Sequence, residues 1–268
     1  MLRRITRLAA DRPVTRPTRV EFGMYPFASV AWAWDELWSA VRSRVGWAPD
    51  EITPTGDVHA GWADERCVVT QICGGPLVAE HQHDWDVIGA FSLDVPHAFD
   101  PAHYRSVLLS RHDRPVVELT APTTRAVANS ADSLSGWISL LAATVGPGGT
   151  WPGDVVFTGS HLAGIRALAA GDADLASVDG WSLALIADDL PELVGDLHAI
   201  GLGPVVPTPP VAARPTLGES RVTELRDAFD DAVSDPAVAG ALAALRIAEF
   251  VRLDLDDYLP ILSLRPSG

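Results

Sequence analysis

Cysteine, positive charge and long apolar runs are scarce in this sequence of 268 residues. Its two cysteines, Cys67 and Cys73, are too few for a disulfide framework or a thiolate metal cage, so we expect two free or buried thiols. No apolar stretch reaches the roughly 20 residues with which a helix spans a bilayer. Only 20 Lys and Arg oppose 35 Asp and Glu, and the formal charge of −15 disfavours nucleic acid and anionic membranes as partners.

The composition, with 47% hydrophobic and 21% charged residues, is typical of a globular protein large enough for one large domain or two lobes. Basic residues occur within residues 1–19, but the apolar core of an export signal does not follow them. The sequence as written therefore predicts a cytoplasmic protein. An upstream start, or a signal already removed, is the alternative.

Strands and helices alternate along most of the chain. Apolar residues at helical spacing predict helices at residues 30–45, from Ser160 onward and at residues 181–187. Short, mostly apolar runs predict strands at residues 20–25, 67–72, 85–95, 104–110, 125–128, 155–157 and 175–178. This alternation predicts an α/β fold with parallel sheets flanked by helices, in which ligands bind where the strands end.

The Pro-rich stretch at residues 201–215 predicts a linker, and helices are predicted after it at residues 219–233 and 236–250. Together with a crossover-like strand at Tyr104, this linker divides the chain into two lobes. One lobe is predicted to contain residues 1–102 and 206–268, and the other residues 103–205. We expect a monomer whose lobes close by a hinge motion at the two crossings.

The stretch at residues 128–141 leads from a strand into a helix through small hydroxylated residues. The first N–H groups of a helix have no partner within the helix, and the aligned peptide dipoles make that end partly positive. A tetrahedral oxyanion can therefore dock there against backbone amides and the hydroxyls of Ser133 or Ser135. An ordinary N-cap formed by Ser133 or Asp132 explains the same residues and, on this stretch alone, is the stronger interpretation.

Five stretches, in the same order, resemble the PhnD-like phosphate, phosphite and phosphonate substrate-binding proteins of ABC importers. They are residues 24–26, 71–77, 104–106, 129–136 and 158–161 with 171–179. The resemblance extends from about Val20 to Pro207, and residues 158–161 and 171–179 are its most specific parts. It implies a type II periplasmic-binding-protein fold, with two α/β lobes that each hold a mostly parallel sheet flanked by helices. It also implies a permease and an ATPase as partners, and a periplasmic location for the family.

The resemblance further implies which residues bind a small phosphorus-containing anion in the cleft between the lobes. The phosphoryl oxygens lie on the helix start, matched here by Ser133, Leu134 and Ser135. Two tyrosines, a histidine and an acidic residue complete the site, and they match Tyr25, Tyr104, His161 and Asp179. Ile72 and Gly75 depart from the threonine and the aromatic residue that are common in the family, which leaves the organic part of the ligand open. No cofactor, metal or catalytic residue is implied.

The chemistry of these residues agrees with an anion site. His161 can donate to a phosphoryl oxygen, the tyrosines are neutral donors, and Asp179 can accept from a protonated oxygen or from an amino group. An acid beside an anion is unfavourable unless a proton or a cationic group lies between them. The site is therefore expected to prefer a monoprotonated oxyanion or an aminophosphonate.

Other functions stay open at this point. The same two-lobe architecture serves cytoplasmic enzymes of menaquinone and thiamine-pyrimidine synthesis, in families that this chain distantly resembles. A ligand sensor that reports to a partner is a further alternative. A hydrolytic triad of Ser133, His161 and Asp179 is disfavoured because Ser-x-Ser-Gly lacks the Gly-x-Ser-x-Gly elbow.

Three smaller features have simple interpretations. His81 and His83 lack a third metal ligand nearby, so a solvated loop is expected there. The acidic residues near Asp254 are expected on a solvated face. Trp181 follows Asp179 directly and is a candidate for a wall of the cleft.

Overall fold

The computed structural model describes residues 18–54 and 56–265. The basic segment up to residue 17 lies outside the described residues. Within the described part of the chain, no helix has the length and apolar character needed to cross a membrane.

Twelve strands occur in the described residues. They are β1 (Arg19–Glu21), β2 (Cys67–Gln71), β3 (Asp86–Leu93), β4 (His103–Tyr104), β5 (Val107–Ser110), β6 (Arg125–Ala128), β7 (Asp154–Phe157), β8 (Leu175–Val178), β9 (His198–Leu202), β10 (Val206–Pro207), β11 (Pro210–Ala213) and β12 (Ile247–Val251).

The helices of the described residues vary from one turn to four turns. The α-helices are α1 (Ala31–Arg44), α2 (Val58–Ala63), α3 (Gly74–Pro76), α4 (Ser139–Thr144), α5 (His161–Ala170), α6 (Gly180–Asp189), α7 (Pro191–Val194), α8 (Glu219–Val233), α9 (Ala239–Ala244) and α10 (Leu255–Tyr258). Leu77–His81 extends α3 as a π-helical turn, and Leu134–Ile138 is a π-helical turn that runs directly into α4. Short 3-10 turns lie at Ala28–Val30, Val116–Leu119, Pro215–Leu217, Pro236–Val238 and Leu259–Leu264.

The first lobe is built on a five-stranded sheet in the order β1-β2-β11-β3-β12. Its core is rich in aromatic residues because α1 buries Trp34 and Trp38, one helical turn apart, against the sheet. Phe91 of β3 and Phe229 of α8 pack edge to face in the same core, with ring centroids 6.1 Å apart. Such a core fixes the position of α1 and of the loop that leads into it.

The second lobe has a five-stranded sheet in the order β7-β6-β8-β5-β9. Strand β6 is parallel to both of its neighbours, β7 and β8. The carboxyl ends of these three strands therefore lie at one edge of the sheet. The segments that follow Ala128, Phe157 and Val178 are brought side by side there.

A two-stranded ribbon of β4 and β10 connects the two sheets, with Tyr104 opposite Val206. Beside the ribbon, the Gly203 N–H donates to the Ser106 carbonyl at 2.9 Å. The Arg105 side chain donates to the Gly203 carbonyl at 2.6 Å. The chain thus crosses between the sheets twice, at adjacent positions.

The α/β fold class is confirmed, but the sheets are mixed rather than mostly parallel. In the first lobe only β1 and β2 pair in parallel, and in the second lobe β5 is antiparallel to β8 and β9. The reason is the double crossing. Strand β11 returns from the second lobe and inserts between β2 and β3, opposite in direction to both.

The predictions for the returning part of the chain are partly wrong. Residues 201–215 hold the buried strand β11 and not only a linker, and Pro210 is tolerated because it is the first residue of that strand. The helix predicted at residues 236–250 ends at Ala244, where Arg246 with φ +57° turns the chain into β12. There, Phe250 pairs with Phe91 of β3, and this tertiary pairing overrides the helical spacing.

Two predicted strands are shorter or divided. The strand predicted at residues 20–25 ends at Glu21, and the strand predicted at residues 104–110 is split into β4 and β5 by Arg105 and Ser106. This split lies where the chain crosses between the sheets. The pairing partner changes there from β10 to β8 and β9, so one continuous strand cannot form.

Candidate ligand-binding cleft

A cleft of about 530 Å³ lies between the lobes. The first lobe contributes the loop after β1, the helix α2 with the residues just before it, and the start of α3. The second lobe contributes the loops after β6, β7 and β8. This volume lies in the range of small-molecule sites, roughly 300 to 1,000 Å³.

Ser133 is the N-cap of the helical segment that continues into α4. Its backbone is extended, with φ −65° and ψ 124°, and its Oγ accepts a hydrogen bond from the Gly136 N–H at 3.1 Å. The N-cap interpretation is therefore correct. Capping uses only a lone pair of the oxygen, so the hydroxyl proton of Ser133, which lines the cleft, is available to a ligand.

Leu134 does not line the cleft, although the resemblance places it there. Residues 132–134 meet residues 73–76 of the first lobe in a contact that we call the lobe seam. The N–H groups of Leu134 and Gly75 donate hydrogen bonds to the Cys73 sulfur, which lowers the pKa of the thiol. Burial has the larger effect and raises this pKa to about 11. Cys73 is thus an uncharged thiol at neutral pH and a poor nucleophile. Both cysteines are free and buried, as predicted.

His161 opens α5 directly after the N-cap Ser160, whose Oγ accepts from the Ala163 N–H at 3.1 Å. Its Nε2 lies 3.1 Å from the Ser135 Oγ. Burial lowers the pKa of His161 below the ordinary 6.5, although the negative charge of Asp179 raises it in part. The imidazole is therefore neutral at pH 7, with one nitrogen as donor and one as acceptor.

Asp179 follows β8, is buried, and caps α6. Its Oδ1 accepts from the Ser182 N–H at 2.7 Å. Its Oδ2 accepts from the hydroxyl of Tyr104 at 2.6 Å and from the hydroxyl of Tyr25 at 3.3 Å. Burial, and after it the charge of Asp179, raises the pKa of both tyrosines well above 10.

These hydrogen bonds change what the tyrosines offer to a ligand. The hydroxyl protons of Tyr25 and Tyr104 are donated to Asp179, so only their oxygen lone pairs remain. The sequence predicts that the tyrosines donate to the ligand. In the structure, Tyr25 instead faces the cleft as an acceptor. Tyr104 lies one layer behind the cleft, where it supports Asp179, and a hydrogen bond from Ser135 opposes part of its pKa rise.

The structure brings five of the seven predicted residues to the cleft: Tyr25, Ser133, Ser135, His161 and Asp179. It does not assemble the hydrolytic triad. His161 is hydrogen-bonded to Ser135 rather than to Ser133, and the Asp179 oxygens are occupied by the tyrosines and the Ser182 N–H.

Sequence reasoning missed the part of the cleft that α2 provides. His59 lines the cleft, and its Nδ1 lies 3.6 Å from the Asp132 Oδ2 of the other lobe. Its ring packs edge-on against Trp62, with centroids 4.9 Å apart. The available signal was Asp57, an N-cap residue whose side chain accepts from the His59 N–H at 3.0 Å.

Trp181 is not a wall of the cleft. It is fully buried, its ring lies 4.1 Å from that of Tyr25, and its Nε1 donates to the Leu245 carbonyl at 2.7 Å. This residue of the second lobe is therefore part of the first-lobe core.

Two surface features remain: His81 is the last residue of the π-helical turn after α3 rather than part of a loop, and the acidic residues near Asp254 cap a helix. His81 pairs with Asp84 at 3.0 Å, and the described residues hold no cluster of three or more His, Cys, Asp or Glu suited to a metal. Asp254 and Asp257 form a capping box at the start of α10.

Solved structures share this two-lobe arrangement. PhnD1 from Prochlorococcus marinus (MIT 9301), in complex with methylphosphonate, is 17% identical with a TM-score of 0.74, and the match covers 92% of this chain and 96% of that one. A binding-protein component of an ABC phosphonate transporter from Pseudomonas aeruginosa is 16% identical, with a TM-score of 0.71 and coverages of 92% and 85%. XAC2383 from Xanthomonas citri, bound to ATP, is 15% identical, with a TM-score of 0.65 and coverages of 92% and 94%. These matches define the fold as the type II periplasmic-binding-protein fold.

The family model of the ABC transporter, phosphonate, periplasmic substrate-binding proteins matches residues 72–258. The chain belongs to this family of phosphonate-binding proteins. No sequence among the curated proteins matches it. The family consists of substrate-binding proteins of ABC transporters, which work with a permease and an ATPase. It is periplasmic, so the cytoplasmic expectation has no support.

Proposed function

We propose that this chain captures a small phosphonate, or a related phosphorus oxyanion, in its cleft and delivers it to an ABC permease. The observation that carries the proposal is the convergence of two helix starts on one cleft. Ser133 and Ser135 begin one helical segment, and His161 begins the other, so hydroxyl, amide and imidazole groups face the same space. The methylphosphonate complex of PhnD1 from Prochlorococcus marinus supports the same ligand class.

We infer that the bound ligand carries one proton. Tyr25 and Asp179 offer lone pairs at the cleft, and an unprotonated dianion would leave these acceptors facing negative oxygens. A P–OH group, or an amino group on the ligand, supplies the missing donor. Sulfate has a similar shape but no proton near neutral pH, so we expect its affinity to be weaker by roughly 10⁴-fold.

The ligand is proposed to bind between lobes that move as two bodies. One consists of residues 1–102 and 206–268, and the other of residues 103–205. The ribbon of β4 and β10 supports a hinge at this division, because few residues cross between the sheets there. We propose that the protein acts as a monomer, which sedimentation or light scattering would test.

A thermal-shift panel tests the proposed ligand class. It contains phosphate, phosphite, methylphosphonate, an aminophosphonate, sulfate and small aromatic metabolites. At about 1,000 times the dissociation constant, a bound ligand adds roughly 4 kcal/mol, a rise in Tm of about 8 to 16 °C for a chain of this size. A response to an aromatic metabolite, with none to any phosphorus oxyanion, would favour an enzyme on the same fold instead.

A further inference from the structure

Asn129 is a polar residue of the cleft to which no role has been given. It follows β6 directly and lies between the two helix starts that face the cleft. Its backbone carbonyl accepts from the Gly159 N–H at 2.9 Å, which ties it to the turn that presents His161. Asn129 is thus anchored beside both parts of the anion site.

The orientation of the Asn129 side chain follows from its contact with Gly136. A Cβ on Gly136 would lie 2.0 Å from the Asn129 Oδ1, so this oxygen lies directly over the glycine Cα. The oxygen is buried and has no hydrogen-bond partner among the described residues, which leaves only a weak C–H···O contact. The opposite amide orientation would bury two N–H donors against the same C–H group. Carbonyl inward and amide nitrogen outward is therefore the favoured arrangement.

The Asn129 Nδ2 is left as an unused donor at the cleft. No described side chain or carbonyl accepts from it, while its neighbours Ser133, Ser135 and His161 are the groups that face the proposed anion. An aspartate of the same shape would present an acceptor in its place. Yet this chain, which has 35 acidic residues, carries its only asparagine at this position.

We propose that the Asn129 Nδ2 donates a hydrogen bond to the bound oxyanion, as a ligand-binding residue in addition to the serines and His161. This inference rests on the proposed function. It also explains Gly136, because any side chain there would displace the Asn129 carbonyl and turn the amide out of the site.

The test measures methylphosphonate and inorganic phosphate binding by isothermal titration at pH 8 and pH 5. The variants are Asn129→Ala, which removes the donor, and Asn129→Asp, which replaces it with an acceptor of the same shape. Gln82→Glu is the matched control, because it makes the same amide-to-acid change outside the cleft. Melting of the ligand-free proteins reports any general damage to the fold.

We expect Asn129→Ala to weaken binding by about 10- to 150-fold, as for the loss of a hydrogen bond to a charged group. Asn129→Asp should weaken it further at pH 8. At pH 5 its deficit relative to wild type should narrow, because a protonated carboxyl can donate. Gln82→Glu should bind as wild type does.

Wild-type affinity in both Asn129 variants would overturn the inference while leaving the proposed function intact. So would a loss of affinity that follows a loss of melting temperature and is the same at both pH values, since that pattern indicates only a structural role. If the Asp variant does not fold, Asn129→Ala decides alone, because it adds no atoms. A wild-type protein that binds neither probe would overturn the inference and the proposed function together.

Discussion

At the scale of single residues, Ser133 shows that helix capping is compatible with the proposed anion binding, although the sequence presents the two as alternatives. Its oxygen caps the helix through the Gly136 N–H, and its proton is free for a ligand. A capping serine is therefore not evidence against an anion site. The two roles use different parts of one hydroxyl group.

Ser133→Ala removes both the cap and the proposed donor to the ligand. We expect about 10- to 150-fold weaker binding of the best phosphonate, from the lost hydrogen bond to a charged group. The lost N-cap should also lower the free energy of unfolding by about 1 kcal/mol. Isothermal titration and urea unfolding measure the two effects.

Ser139→Ala is the control for Ser133→Ala. The Ser139 hydroxyl is buried without a partner in the described protein, so its removal should leave affinity unchanged and should not destabilise the fold. Equal ligand affinities of Ser133→Ala and Ser139→Ala would show that Ser133 acts only as a helix cap.

The lowered pKa of His161 predicts a pH dependence of stability. The folded pKa lies below the 6.5 of the unfolded chain, so between these two values the unfolded state binds more protons. Stability is therefore fully present above about pH 6.5 and falls as the pH drops toward the folded pKa. The slope contributed by this group is at most about 1.4 kcal/mol per pH unit.

His161→Asn should flatten the dependence of the unfolding free energy on pH between about 7.5 and 5.5. Urea unfolding across this range measures it, with the exposed His83→Asn as the control. An identical slope in His161→Asn would show that other groups cause the acid destabilisation.

At the scale of elements, the sequence predicts correctly those helices and strands that depend only on the residues of a short segment. The apolar spacing of α1 and α8 and the short apolar runs of β6 and β8 are properties of short segments, and these elements lie close to where they were predicted. Strands β11 and β12 depend instead on partners more than 100 residues away. No short pattern distinguishes β12 from the end of a helix, so its assignment was wrong.

The same distinction applies to the site. The strand order explains why residues after β6, β7 and β8 meet. The family resemblance pointed to Tyr104, which lies behind the cleft and donates to Asp179. The direction of a hydroxyl proton is different, because it depends on which acceptor lies nearest in three dimensions. The donation of Tyr25 and Tyr104 to Asp179 was for this reason beyond reach of the sequence.

Arg214, directly after β11, holds several elements of the first lobe together. Its guanidinium is stacked over the Trp85 ring, with its Cζ 3.9 Å from the ring centroid. It donates to four backbone carbonyls, those of Trp62, Asp64, Cys67 and Asp84. We expect Arg214→Lys to lower the free energy of unfolding by about 2 to 3 kcal/mol, because an ammonium group cannot reach all four.

Urea unfolding measures this effect, with Arg221→Lys as the matched control. Arg221 also lies over a tryptophan, with its Cζ 5.0 Å from the centroid of the Trp47 ring, but it is exposed, so its replacement should change stability by less than about 0.5 kcal/mol. Ligand affinity should be unchanged in both. Equal stabilities of the two variants would contradict a role of the buried hydrogen bonds.

At the scale of the whole molecule, the lobes meet near the crossing and at the lobe seam, in addition to the Tyr25–Asp179 and His59–Asp132 contacts of the cleft. Near the crossing, Trp181 is inserted into the first-lobe core, and Asp188 pairs with Arg246 at 2.7 Å. At the lobe seam, Gly75 faces the main chain of residues 132–134. A Cβ on Gly75 would lie 2.6 Å from the Asp132 carbonyl oxygen and 3.3 Å from the Leu134 nitrogen. Neither atom can rotate away, because both belong to the main chain.

Gly75→Ala should therefore prevent the lobes from closing as they do here. We expect weaker phosphonate binding, by about 10-fold or more, and a radius of gyration in X-ray scattering that no longer decreases when ligand is added. Gly56→Ala is the control: it lies in the first lobe and lines the cleft, but its Cβ would have no atom within 4 Å. Normal compaction of Gly75→Ala on ligand addition would show that the seam adjusts and that closure does not depend on this glycine. Loss of compaction in Gly75→Ala alone would mean that a missing side chain sets how far the two lobes close.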